Sequence, residues 1–180
     1  MFDPTRTELL VIDFQEKLFG SMPEGDGEGG RDRALKVVDN LLFAATELDL
    51  PVTLTEQYRK GLGPTLPSLK LPRQAFRFEK TAFSAVREHG FPEKHRAEIL
   101  IVGMEAHICV ALTTIDLLAR GATVFIVADG CLSRRAEDRN RGLDLCAHAG
   151  ARVVSSETAL FAMMERPGTP LFKEISRRIR

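Results

Sequence analysis

Between Glu98 and Gly121 the hydrophobic pattern changes period, and this change restricts the fold more than any other feature of the chain. The run Ile99-Leu100-Ile101-Val102 is continuous, apolar and rich in β-branched side chains, the pattern of a strand buried on both faces. Gly103 ends the run, and Met104 to Ile108 form a short turn. From Cys109 onward, Val110, Thr113, Leu117 and Leu118 recur at helical spacing until Gly121, which is placed to stop a helix. Cys109 therefore stands where a central strand hands over to a helix. The free N–H groups and positive dipole of a helix start favour thiolate over thiol. A small buried residue packing the junction suits the same position. Other residues must decide between the two.

The rest of the chain repeats the alternation. Leu9-Leu10-Val11-Ile12 is a second buried-strand run, closed by Asp13. Arg31 to Leu50 has the apolar stripe of an amphipathic helix, and Pro51 to Thr55 is a strand. Lys60 to Thr65 is a loop by its Gly and Pro content, and Ala122 to Ala128 is a strand ending at Asp129-Gly130. Glu137 to Ala149 is helical, Arg152 to Ser155 a short strand, and Ser156 to Met164 and Leu171 to Arg178 are the last helices. Strands alternating with helices specify a doubly wound three-layer α/β/α fold with a mostly parallel sheet, expected as a single domain over 1–180.

Composition removes several function classes. Lys plus Arg and Asp plus Glu both number 25, so the formal net charge is zero and no electrostatic footprint for nucleic acid or a membrane surface is expected. Three cysteines, an odd number, argue for a reducing compartment rather than a disulfide framework. With no basic-then-apolar leader and no run of membrane-spanning length, a soluble cytoplasmic protein is the expectation. Gly25 to Gly30 matches G-x-G-x-x-G, but it does not follow a strand directly and it carries Asp26 and Glu28, which repel a pyrophosphate. It reads as a surface loop.

Three side chains carry candidate chemistry. Asp13 follows the first strand, Cys109 the central one, and Lys80 lies in the aromatic segment Arg77-Phe78-Glu79-Lys80-Thr81-Ala82-Phe83. A thiol nucleophile needs a base, which Asp13 can supply, and a cation that favours its anion, which Lys80 can supply. Backbone N–H groups of the Glu105–Cys109 turn are candidate oxyanion donors.

Three separated motifs in this order resemble the isochorismatase-like cysteine hydrolase superfamily: Val11-Ile12-Asp13-Phe14-Gln15, Phe78-Glu79-Lys80-Thr81-Ala82-Phe83-Ser84 and Gly103-Met104-Glu105-Ala106-His107-Ile108-Cys109-Val110. Thr55-Glu56-Gln57-Tyr58 and the Glu105–Cys109 turn look most like the branch of isochorismatase domain-containing proteins. The resemblance implies a catalytic triad of Asp13, Lys80 and Cys109. It also implies a non-proline cis peptide at Met104-Glu105 and an oxyanion hole from the N–H groups of Glu105 and Cys109. Gln57, Phe19 and His107 are the expected substrate contacts, and a homo-oligomer, a dimer or larger, is the expected assembly.

The chain also departs from members of the superfamily. Nicotinamidases carry an Asp-x-His metal site after the second strand, where this chain has Glu56-Gln57-Tyr58. The four histidines, His89, His95, His107 and His148, lack ligand-like spacing, so no metal and no cofactor is expected. Cys131 and Cys146 read as packing residues. The leading expectation is a metal-independent hydrolase that cleaves a C–N amide bond of a small molecule through a Cys109 thioester. Vinyl ether hydrolysis and a non-catalytic binding or scaffold protein on the same fold are the alternatives.

Overall fold

The computed structural model describes residues 3–92, 96–164 and 166–180; His95, one of the scattered histidines, lies outside them. Six strands form one parallel sheet: β1 (Thr7–Ile12), β2 (Val52–Gln57), β3 (Phe76–Lys80), β4 (Glu98–Met104), β5 (Thr123–Leu132) and β6 (Arg152–Val154). Their order is β3-β2-β1-β4-β5-β6, so the chain winds outward from β1 in one direction and then from β4 in the other. The reversal between β1 and β4 leaves a crevice at their carboxyl ends, where open α/β sheets bind ligands.

Alternation along each strand divides the core. Leu9, Val11, Leu54, Leu100, Val102 and Phe125 face one side. There they meet α2 (Arg31–Glu47), α6 (Ser156–Met164) and α7 (Pro170–Arg178). Leu10, Ile12, Ile99, Ile101, Val124 and Ile126 face the other, under α4 (Ala111–Ala119) and α5 (Ala136–His148). Both sheet faces are buried, which is why the strands read as continuous apolar runs rather than alternating ones. Short helices α1 (Glu16–Gly20) and α3 (Arg59–Leu62) and a 3₁₀ turn (Ala85–Arg87) follow β1, β2 and β3.

Several boundaries differ from the sequence expectation. Gly103 does not end β4; it lies inside the strand with φ 150°, and a Cβ there would stand 2.4 Å from the Ile12 carbonyl oxygen. The glycine allows close approach of β1. Nor does β5 stop at Asp129. Its pairing with β4 slips between Ile101 and Gly103, and Cys131 and Leu132 then pair with Gly103 and Met104. Arg139 reaches two carbonyls at this bulge: Nε donates to Cys131 O (2.9 Å) and Nη2 to Ala128 O (2.6 Å). The helix carrying Cys109 opens with a π-helical turn, Ala106–Val110, ahead of α4.

Candidate active site

Asp13, the residue after β1, is fully buried and adopts φ 55°, a conformation Asp tolerates better than most residues. Its carboxylate is held on both oxygens: Thr55 Oγ1 donates to Oδ1 (2.5 Å) and Lys80 Nζ to Oδ2 (2.9 Å). Thr55 is placed by register, since it pairs with Ile12. Lys80 ends β3, two strands away from β1. At about 4.8 Å per strand the gap is about 10 Å, which a lysine stem can help bridge and a short side chain cannot. With Lys80 only 2% exposed, its ammonium also donates to Gln57 Oε1 (2.6 Å), Phe83 O (3.1 Å) and Ala82 O (3.3 Å). The lysine named from its aromatic segment is thus buried and paired rather than a surface charge.

Cys109 comes from the other side of the crevice, in the π-helical turn after β4, and is 6% exposed. Its Sγ lies 4.0 Å from Gln57 Oε1. Here burial opposes the effect expected of a helix start. Burial pushes the Cys109 thiol up to about 12; the Asp13 carboxylate adds to that rise and the Lys80 ammonium opposes it. Loss of hydration opposes the Lys80 cation and shifts this residue toward the thiol form. The same burial raises Cys131 to about 12 and Cys146 upward.

The turn before Cys109 is fixed from outside. The Met104–Glu105 peptide bond is cis. Glu105 is buried, and burial alone would raise its carboxyl; Arg134 N and Nε donate to it at 2.9 and 3.1 Å and hold it below the ordinary range. Glu105 O accepts from Ile108 N (3.0 Å) and Val110 N (3.2 Å), so those two N–H groups are committed within the turn. Helix α5 packs on this turn at Gly142, where a Cβ would lie 2.5 Å from His107 N.

The expected substrate contacts fare differently. Gln57 is not a free recognition amide: Oε1 faces Lys80 and Cys109, and Nε2 donates to Thr81 O (2.8 Å). His107 Nδ1 pairs with Ser133 Oγ at 3.0 Å. Phe19 packs on Phe14 and beneath Arg31, in the cluster on the sheet face opposite Cys109. Two residues go beyond the sequence reading. Thr55 shares a strand face with Gln57 at i, i+2, a signal available in the sequence. Gln15 stands in the first of the three motifs, and its buried amide ties the end of β1 to β2 by accepting from Gln57 N (2.7 Å) and donating to Gln57 O (3.0 Å). Glu56 is likewise buried and engaged, accepting from Thr65 N (2.7 Å) and Thr65 Oγ1 (2.6 Å).

Asp13, Lys80 and Cys109 thus converge from three strands, and the isochorismatase domain model matches residues 7–158, a span that holds all three. The chain belongs to the isochorismatase domain family. The family is one of hydrolases. Isochorismatase domain-containing protein 1 of Salmo salar is 38% identical over 96% of this chain, which spans 60% of that protein's length. Isochorismatase domain-containing protein 2A of Mus musculus is 34% identical over 98% of this chain and 84% of its own. Among solved structures, MAR1 ribonuclease from Caenorhabditis elegans is 34% identical, with a TM-score of 0.87 over 99% of this chain and 91% of that one. YcaC from Pseudomonas aeruginosa, 21% identical, shares the fold with a TM-score of 0.84 over 97% and 89% of the two chains. These likenesses match the expected α/β architecture. Among the described residues no helix is long and apolar enough to cross a membrane.

Proposed function

We propose that this isochorismatase-family chain is a metal-independent cysteine hydrolase acting on a C–N amide bond of a small molecule, with 1–180 as one catalytic domain. The observation that carries the reading is a buried carboxylate and a buried ammonium, 2.9 Å apart, that both act electrostatically on one thiol. The Cys109 thiol proton passes to the Asp13 carboxylate as Sγ attacks the carbonyl carbon, so a free thiolate need not accumulate. The resulting oxyanion is held by the N–H groups of Glu105 and Cys109. Asp13 then gives its proton to the leaving nitrogen as the C–N bond breaks. Water, deprotonated by Asp13, hydrolyses the thioester and restores the thiol. Lys80 holds Asp13 in place throughout and offsets the charge that develops on sulfur. Metal independence is supported by Glu56, whose carboxylate is already occupied by Thr65 beside Arg59.

The chain is expected to act in the cytoplasm as a homo-oligomer. Tyr58 and Phe83, 57% and 58% exposed on the two sides of the Lys80 segment, supply apolar surface for a neighbouring copy. Activity on RNA, named for the C. elegans neighbour, is the competing reading. A formal net charge of zero disfavours it. Incubating wild type and Cys109→Ala with a panel of small amides, vinyl ethers and an RNA oligonucleotide decides among them. Amide turnover by wild type, a thioester adduct on the Cys109 peptide and no turnover by the variant are expected. Turnover that persists in Cys109→Ala would overturn the thioester route.

A further inference from the structure

Lys80 is held by the loop that follows it, and that loop is held by a carboxylate outside the cluster. Three successive carbonyls of the loop face inward: Thr81 O accepts from Gln57 Nε2 (2.8 Å), and Ala82 O and Phe83 O accept from Lys80 Nζ (3.3 and 3.1 Å). On the outer side of the same loop, one oxygen of Glu88 takes three donors. They are Thr81 N (2.6 Å), Ala82 N (2.9 Å) and Thr81 Oγ1 (3.0 Å). Consecutive N–H groups that converge on one oxygen form an anion-binding nest. A peptide plane joins each N–H to the preceding carbonyl, so Glu88 fixes the Thr81 carbonyl, the acceptor for Gln57 Nε2, through Ala82 N, and the Lys80 carbonyl through Thr81 N.

We infer that Glu88 is a positioning residue that sets Lys80 and Gln57 against Cys109 by clamping the Thr81–Phe83 loop. The inference rests on the reading of Cys109 as nucleophile. Glu88 is partly exposed and only about a loop's width from the buried cluster, yet no atom of it enters the cluster. The bonds from Ala82 and Thr81 hold its carboxyl below the ordinary range, as expected of an anion seated in a nest. The far wall of the loop is equally tied: Ser84 Oγ donates to Asp116 Oδ2 (2.7 Å), Arg87 Nε to the same oxygen (2.7 Å), and Ala85 N to Thr113 Oγ1 (3.0 Å). Asp116 and Thr113 belong to α4, the helix that continues from Cys109. The loop is therefore clamped at both ends, by Glu88 at its start and by the nucleophile's own helix at its finish. Loss of Glu88 frees only the start, where the Thr81 carbonyl lies. Gln57 then loses its fixed acceptor, Thr81 O, and with it the seat of the Oε1 that accepts from Lys80 Nζ, so the cation that opposes the rise of the thiol is held less firmly.

The nest gives the inference a direct test. A cavity of ≈ 200 Å³ beside Glu88, lined by Tyr58, Arg59, Lys60, Glu79 and Thr81, opens the nest to small solutes. The rate of Cys109 alkylation by iodoacetamide, read by peptide mass spectrometry, is measured in wild type, Glu88→Gln and Glu88→Ala, with and without acetate. Glu88→Ala should slow alkylation by about ten- to a hundredfold, the scale of a loss of fixed placement. Glu88→Gln keeps one acceptor and should fall between. Acetate should restore most of the rate in Glu88→Ala by seating its carboxylate in the vacated nest, and leave wild type unchanged. A wild-type rate in Glu88→Ala overturns the inference. So does a slow rate that acetate does not restore, since loss of overall structure has no reason to respond to a carboxylate. Preferential alkylation of Cys131 or Cys146 in wild type would instead overturn the reading of Cys109 itself.

Discussion

Among the described residues two buried cations lie at the carboxyl edge of this sheet and are used in opposite ways. Lys80 is 2% exposed and Arg139 3%. Arg139 spends its guanidinium on the Ala128 and Cys131 carbonyls, and its carboxylate partner, Glu28 at 3.3 Å, is on the surface. Lys80 faces a carboxylate that is as buried as itself and a thiol that titrates. The fixed fork of arginine is suited to pinning two carbonyls of a bulge, whereas a compact ammonium on a flexible stem is suited to a cluster whose charges rearrange during reaction. Burial of a cation alone therefore does not mark a site. The nature of the group it faces does.

The comparison can be broken most forcefully at Asp13. Asp13→Asn should reduce amide turnover by about 10²–10⁴-fold, the range for loss of a general base. Cys109 alkylation in the same variant should be no slower than in wild type. The sign follows from the thiol: the Asp13 charge raises it, so removal lowers its pKa and enlarges the thiolate fraction at fixed pH. Stopped assays and alkylation mass spectrometry on one preparation read both quantities, and a parallel fall in the two would contradict the assigned role. Arg139→Leu should behave in the opposite way. It leaves the Ala128 and Cys131 carbonyls without a donor, at about 1–3 kcal/mol for each buried group left unpaired. Denaturant unfolding should register that loss, while Cys109 alkylation in the folded protein stays at the wild-type rate.

Lys80→Met sharpens the contrast at smaller scale. The ammonium lowers the thiol, so its loss should raise it further and slow alkylation at fixed pH, by about tenfold for each pKa unit. Lys80→Arg should not restore the rate, because a five-donor fork does not match four acceptors arranged around one point. The smallest expected effect is none: amide turnover should survive exhaustive chelation, and recovery of a lost activity by added Zn²⁺ would refute metal independence.

Much of the fold was legible because its cause is local. The buried runs at Leu9–Ile12 and Ile99–Val102, with helical spacing between strands, require a parallel sheet covered on both faces. The site was legible in part. Asp13 and Cys109 stand directly after such runs, and a lysine among aromatic residues marks Lys80. Thr55 was readable in principle from its spacing to Gln57, but Arg134, Arg139 and Glu88 resemble ordinary surface charges, with partners distant in sequence or set by loop conformation.

Taken alone, the sequence determined five of the six strands, the main helices and their alternation, because periodicity and turn chemistry act over a few residues; it did not mark Phe76–Lys80 as a strand. Only the tertiary structure decided the upward push on the Cys109 thiol, the hydrogen bond that ties Gln57 to Lys80, and the continuation of β5 through its bulge. Each of these depends on burial and on atoms brought together across strands. Desolvation is a property of the assembled surroundings, and no local pattern in the chain encodes its magnitude.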